Sequence, residues 1–513
     1  MTQKNNLPAL TLLLTVATML NIRCSAPEPP TGAGPAPGML YLYSERIPLQ
    51  DGSFAAADRG QLFVPVKRSD PRSALISIEI YRFKAASGVQ AAPIFLLHGG
   101  PSFQGLAGPL AEPGFYERLI RPYLEAGDLV VVGQRGIGSS KPDTIIEAPR
   151  RFPPDQEVTE QQAAEALREA CARGKAYWES QGLDLTGLTV VEAAADVDDV
   201  RKALGYDKIT LWGGSFGSHW GMAVMRYYPQ IVERAVLRGM EGPDHTYDMP
   251  SHVLHSLQRI AEAADRSPGL KGLIPEGGLL AAFRTVIARA QANPIRITVA
   301  DPQTGKDQVV VFTAGDIRGM ALGYTATVSS RRGMRSWPAD ILALYWEDFS
   351  PAAKASLLRR QTRAWPTASF FMLDCASGIT PEREAQLRQD PAVDVLGPIG
   401  WEYQVGCPVW NIDLGNEFRK NFETGIPTLI VQGTWDVSTP MENALELGPF
   451  FKSGKLILVH GGSHGALQDA MDFSEDFRAA VMKFARSGDM SDLPGEVTLP
   501  PIEWEVPQQP GKR

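Results

Sequence analysis

Six short runs of almost wholly apolar residues, at 93–97, 129–133, 209–212, 235–237, 428–431 and 455–459, constrain this chain more than anything else in it. Most are separated by stretches of helical period. A strand that is apolar on both faces must be covered on both faces, so such runs belong to a buried parallel sheet with crossover helices. Residues 40–82 differ. There apolar and polar residues alternate around turn signals such as Asp51-Gly52 and Ser69-Asp70-Pro71, as in antiparallel strands. The expected class is α/β: a mostly parallel sheet with an antiparallel edge.

One interval in the series is too long. A bare crossover needs only about 10 to 12 residues beyond its strand, yet no apolar run of this kind lies between Arg238 and Thr428. A large inserted lid, or cap domain, is expected at 241–424. Helical period at 252–264 and 338–348 falls inside it, as does a hairpin at 295–312 turning at Asp301-Pro302-Gln303-Thr304-Gly305. Trp337, Trp346, Trp365, Trp401 and Trp410 also fall there and are expected to form the cap core. With 513 residues, the chain then divides into a leader and tether (1–38), the first core part (39–240), the cap, the second core part (425–490) and a tail (491–513).

The first residues have the pattern of an export signal: Lys4, an apolar run at 7–20 too short to span a membrane, then small residues around Cys24 and Ala26. A Pro/Gly-rich tether at 27–38 follows. Lipidation of Cys24, anchoring the protein to a membrane, and cleavage after Ala26 are the two alternatives, so the expected location is outside the cytoplasm. In an oxidising compartment Cys171, Cys375 and Cys407 give one pair and one leftover. Cys375 and Cys407 both flank Gly/Pro-bearing loops in one region and are paired here, whereas Cys171 sits in a helical pattern at 163–178 as a buried thiol. The net charge of −8 argues against nucleic acid as a partner.

The chemistry is carried by Gly213-Gly214-Ser215-Phe216-Gly217, a G-x-S-x-G sequence directly after an apolar strand. Small neighbours let the backbone turn sharply and lift the serine oxygen clear of the sheet. Gly461-Gly462-Ser463-His464-Gly465 matches the same pattern, but His464 is the last of the seven histidines, so Ser463 has no base downstream. Ser215 has both partners in the order nucleophile, acid, histidine. Asp436 lies just past one strand and His464 just past the next, where such folds place reactive groups. His464 would take the serine proton, and Asp436 would fix the imidazole tautomer and stabilise the imidazolium. His98-Gly99-Gly100-Pro101 follows another strand, and the N–H groups of Gly99 and Gly100, with that of Phe216, are expected to receive the oxyanion. No metal or organic cofactor is required by this chemistry.

With these residues placed, the chain resembles the proline iminopeptidase and tripeptidyl aminopeptidase branch of the α/β-hydrolases. The matching pieces are His98-Gly99-Gly100-Pro101, Gln134-Arg135-Gly136-Ile137-Gly138-Ser139-Ser140, residues 196–206, 213–217, 436–440 and 462–465. Two positions depart from the branch's pattern: Gly133 stands where an Asp usually precedes Gln-Arg-Gly, and Ser102 where a glycine usually follows His-Gly-Gly-Pro. The resemblance implies cleavage of residues from a free peptide N-terminus, with acidic side chains holding the ammonium group. Glu241 is the expected anchor and Asp244 a weaker one. An esterase or lactonase with the same triad is the rival reading for small acyl substrates, and a binding protein that keeps the scaffold without turnover is a third.

Overall fold

The computed structural model describes residues 34–507 apart from 86–87, 103, 113, 322–329 and 362–365. The expected leader, including the apolar run at 7–20 and Cys24, lies outside the described residues, as does Trp365. No helix among the described residues is long and apolar enough to cross a membrane.

Numbered in chain order, the strands are β1 (Leu40–Pro48), β2 (Phe54–Pro65), β3 (Leu75–Phe83), β4 (Ile94–Leu97), β5 (Leu129–Val132), β6 (Ile209–Gly214), β7 (Val232–Arg238), β8 (Ile295–Ala300), β9 (Asp307–Phe312), β10 (Thr428–Gly433), β11 (Gly454–His460) and β12 (Glu496–Thr498). All but β8 and β9 form one sheet in the order β1-β2-β3-β5-β4-β6-β7-β10-β11-β12. The pairs from β1 to β5 are antiparallel and the rest parallel. Every residue of β5, β6 and β10 is buried. The period of two divides them between two layers. Val130, Val132 and Ile430 join one apolar cluster under the helices Glu160–Ser180, Val190–Ala203 and Phe216–Tyr227. Leu129, Val131, Leu429 and Val431 join the other, under Ala466–Phe473 and Glu475–Ser487. This is the α/β-hydrolase architecture.

The segment inserted between β7 and β10 has two parts. Helices Pro250–Asp265, Leu279–Ala292 and Trp337–Tyr345, with the β8–β9 hairpin, enclose an apolar cluster that includes Leu257, Phe283, Val310 and Trp337. The hairpin turn is held by Asp301, whose carboxylate accepts the N–H groups of Gln303 (2.8 Å) and Thr304 (2.9 Å). The second part does not join that cluster. Helices Ala368–Ser377 and Trp401–Trp410 lay Phe371 and Trp410 against the sheet-side cluster under the helix Phe216–Tyr227. So Trp337 and the half-buried Trp346 belong to the cap core, whereas Trp401 and Trp410 pack on the hydrolase core. A disulfide between Cys375 and Cys407 joins these two helices, and Cys171 is a buried free thiol on Glu160–Ser180.

The stretch expected as a tail does structural work. After β12, Leu499 N–H donates to His460 O (3.1 Å), and the chain crosses to the cap. There Arg335 donates to Glu503 O (2.9 Å) while its carbonyl accepts the Glu505 N–H (2.9 Å). Trp504 enters the cap cluster and stacks on Trp435 with ring centroids 6.2 Å apart.

Gln134-Arg135 and Asp196, two of the motifs singled out above, meet in a buried ion network. Arg135 is fully buried and grips both oxygens of Asp196 at 2.8 and 2.7 Å while donating to Val66 O and Gly187 O. Arg68 reaches the same Asp196 (2.7 Å) and Glu192 (2.7 Å). This ties β2 and the helix Val190–Ala203 to the loop after β5. Truncating Arg135 leaves Asp196 buried with less than its full compensation. Arg135→Ala is expected to cost about 3–5 kcal/mol, measured by urea denaturation.

Candidate active site

Ser215 stands between β6 and the helix Phe216–Tyr227 at φ 57°, a left-handed conformation that non-glycine residues seldom adopt. The turn is held by its own N–H, which donates to Arg238 O and Gly239 O, both at 3.1 Å. Close packing explains the small residues around it. A Cβ on Gly217 would lie 2.0 Å from Leu97 O, and one on Gly99 would lie 2.9 Å from Ser215 Cβ. The loop after β4 therefore passes directly against the serine. Gln134 fixes that loop: its Nε2 donates to His98 O (2.9 Å) and Gly99 O (3.1 Å). Gly100 follows at φ 121°, and Phe216 N–H opens the helix, where first-turn N–H groups have no intrahelical partner. Gln134 was visible in the sequence only as part of a motif, with nothing to mark it as the loop's tether.

Asp436 and His464 come together at the ends of β10 and β11. His464 Nδ1 lies 2.9 Å from Asp436 Oδ2 and 3.1 Å from Oδ1. The fully buried carboxylate also accepts from the N–H groups of Ser438 (2.9 Å) and Thr439 (3.0 Å) and the hydroxyl of Thr439 (2.9 Å). Burial by itself would raise its pKa, but attraction to His464 and these donors hold it below the usual carboxylate value. The imidazole sits over Gly239, where a Cβ would come within 3.0 Å of His464 Cε1, and Gly239 O is the acceptor for Ser215 N–H. Ser215, His464 and Asp436 are thus brought to one end of the sheet. The rival serine is placed elsewhere: Ser463 is buried and donates to Asp469 Oδ2 (2.7 Å), capping the loop.

Glu241 lies two residues beyond Gly239, half-buried, its N–H donating to Ser218 Oγ (2.9 Å). Two further carboxyls gather beside it, Asp248 and Asp374. Asp374 accepts a hydrogen bond from the Tyr403 hydroxyl and Asp248 one from Asn443 (3.4 Å). None of the three is paired with a lysine or arginine among the described residues. Burial, then the charge of Asp374, then that of Asp248 push the Glu241 carboxyl well above its ordinary pKa. Burial likewise raises Asp248 and Asp374 to about 8. Asp244, the weaker expected anchor, is committed elsewhere: its carboxylate accepts from Thr380 N (2.5 Å) and Oγ1 (2.8 Å) and pairs with Arg383 (3.3 Å). The Gly133 departure also has a local cause, since a Cβ there would lie 2.7 Å from Ser140 Oγ and 2.9 Å from Glu79 O. Among the described residues, no group of three or more His, Cys, Asp or Glu side chains is arranged to hold a metal ion.

Residues 92–294, which include the loop after β4 and Ser215, match the family model described as alpha/beta hydrolase fold. Residues 395–491, which hold Asp436 and His464, match the model described as TAP-like protein. The chain has the α/β-hydrolase fold and is similar to proline iminopeptidases and tripeptidyl aminopeptidases. The hydrolase is 23% identical over 455 residues to the tripeptidyl aminopeptidase of Streptomyces coelicolor, covering 79% of this chain and 77% of that one. It is 26% identical over 388 residues to the proline iminopeptidase of Neisseria meningitidis serogroup B, covering 75% and 86%. It is also 28% identical over 198 residues to the serine protease Hip1 of Mycobacterium tuberculosis, a match spanning 36% of each chain.

Proposed function

We propose that this hydrolase is an exported serine aminopeptidase that cuts residues from the free N-terminus of peptides through an acyl-enzyme. Ser215 attacks the scissile carbonyl, His464 takes its proton and passes it to the leaving amine, and Asp436 holds the imidazolium. The oxyanion is received by N–H groups of Gly99, Gly100 and Phe216, and water then hydrolyses the ester.

The observation that carries the peptidase reading is the group of three carboxyls, Glu241, Asp248 and Asp374, next to Ser215, none in an ion pair with a lysine or arginine among the described residues, though the charge of Arg383 reaches Asp248. Like charges crowded in a largely buried cluster favour the protonated form until a cation arrives. An ammonium group would draw them into the ionised form by direct attraction. A neutral acyl group offers no such gain. Names of the relatives, tripeptidyl aminopeptidase and proline iminopeptidase, support the same reading.

Fluorogenic aminoacyl, dipeptidyl and tripeptidyl amides, each with a free and an N-acetylated amine, test it. Capping is expected to lower kcat/KM by about tenfold to a hundredfold, the ~1.5–3 kcal/mol of a hydrogen bond to a charged group. Glu241→Gln is expected to lose a similar factor on free amines alone. KM for free amines should pass through a minimum as pH rises toward 8, because the raised carboxyls lose their protons while the substrate's α-ammonium begins to lose its own. Equal rates on capped and free substrates would instead move the protein to the esterase or lactonase reading.

Export is proposed from Lys4 and the apolar run at 7–20, and the disulfide Cys375–Cys407 suits an oxidising compartment. The mass of the mature N-terminus separates lipidated Cys24 from a cut after Ala26.

A further inference from the structure

The helix that begins after Ser215 also holds the segment bearing Glu241. One turn in, Ser218 Oγ donates to Ser215 O (2.7 Å) and accepts the Glu241 N–H (2.9 Å). Its neighbour His219, only 2% exposed, lies between two pieces of the inserted region. Nδ1 is 3.0 Å from Gly242 O and Nε2 is 2.8 Å from Ser377 Oγ. A carbonyl only accepts, so in the neutral ring Nδ1 carries the hydrogen and Nε2 accepts from the Ser377 hydroxyl. On the other side of the same residue, Gly242 N–H donates to His245 Nδ1 (3.1 Å). His245 Nε2 then carries its hydrogen and faces Glu446 at 3.2 Å, and Glu446 pairs with Arg383 at 2.9 Å. Gly242 is thus gripped by two buried imidazoles. Ser377 lies three residues past Asp374 on the helix Ala368–Ser377.

We infer that Ser218 and His219 are positioning residues that fix the span from Ser215 to the carboxyls of Glu241 and Asp374, and so how much peptide fits between its ammonium group and the bond that is cut. The inference rests on the free-amine reading above. Neither side chain touches the reacting atoms. Their effect is registration: one helix carries the nucleophile at its start and, one turn later, the two contacts that seat Glu241 and the Asp374 helix. A histidine buried on this helix beside Trp220 costs free energy unless both ring nitrogens are satisfied, and here both are. A purely apolar residue would pack without grip on either segment.

The test is the ratio of kcat/KM on free against N-acetylated amides, together with the preferred length across aminoacyl to tetrapeptidyl substrates. In His219→Leu the ratio is expected to fall about tenfold, mainly through KM, and the length preference to flatten, because a group moved out of register loses its differential binding. His219→Asn, whose amide N–H can still reach Gly242 O but which has no atom in the place of Nε2, should restore the part of the ratio owed to Gly242 and leave the part owed to Ser377 lost. Should the leucine variant fail to fold, Ser377→Ala decides by the same ratio, since it removes the Nε2 partner and beyond that only a hydroxyl bond to Leu373 O within its own helix. A folded variant with the wild-type ratio and length preference overturns the inference while leaving the aminopeptidase reading intact. Equal turnover of free and capped substrates by the wild type overturns both.

Discussion

Replacing Ser215 by alanine is expected to lower kcat by about a millionfold, leaving only the residual catalysis of the oxyanion loop and substrate binding. The argument is geometric. The strained φ of 57° persists because Gly217 packs against Leu97 O, Gly99 packs against the serine itself, and two carbonyls beyond β7 accept its N–H. The second G-x-S-x-G gives an internal control. Ser463 caps its own loop through Asp469, so Ser463→Ala should cost no more than about tenfold, the worth of one lost cap. Turnover of a fluorogenic amide and labelling by a fluorophosphonate probe check both variants. Comparable losses in the two would remove Ser215 from the role given it here.

Asp436→Asn is expected to cost about ten-thousandfold in kcat. The carboxylate accepts from Ser438 N–H, Thr439 N–H, the Thr439 hydroxyl and His464 Nδ1, and so has only donors around it. An asparagine must point its NH2 at one of them. If the NH2 faces His464, the imidazole is driven to the tautomer with hydrogen on Nε2, which cannot take the serine proton. If it faces Thr439, two N–H groups oppose each other in a buried site. Stopped-flow acylation with an activated ester reports the loss directly. A decrease of less than about tenfold would mean that another carboxylate serves the histidine.

Much of this was legible from residue order alone. The apolar runs predicted the parallel strands, because a sheet covered on both faces leaves no polar alternation, and chain order favours Ser215 over Ser463. The inserted region was legible as a gap, and its hairpin at 295–312 as a turn. Its interior division was not. Trp410 and Trp337 look alike in sequence, yet one packs on the hydrolase core and the other in the cap, since only tertiary packing decides. Asp248 and Asp374 escaped for the same reason. They stand in segments with no local signal of function, and their meaning comes from lying beside Glu241. His219 was hidden in an apolar helix, and Gln134 inside a motif.

The strand-to-cap crossing at 499–505 bears on how the protein comes apart. Trp504, reached from the sheet edge, completes the cap's apolar cluster, and Val437 and Trp435 enter it from the loop that carries Asp436. The cap interior is therefore closed partly by residues the sheet supplies. Pulled from the sheet, the cap would open its own cluster to water, and the Asp436 loop would lose the rings stacked over it. Melting is accordingly expected to be shared between cap and sheet, with partial unfolding of either also loosening the loop that carries Asp436.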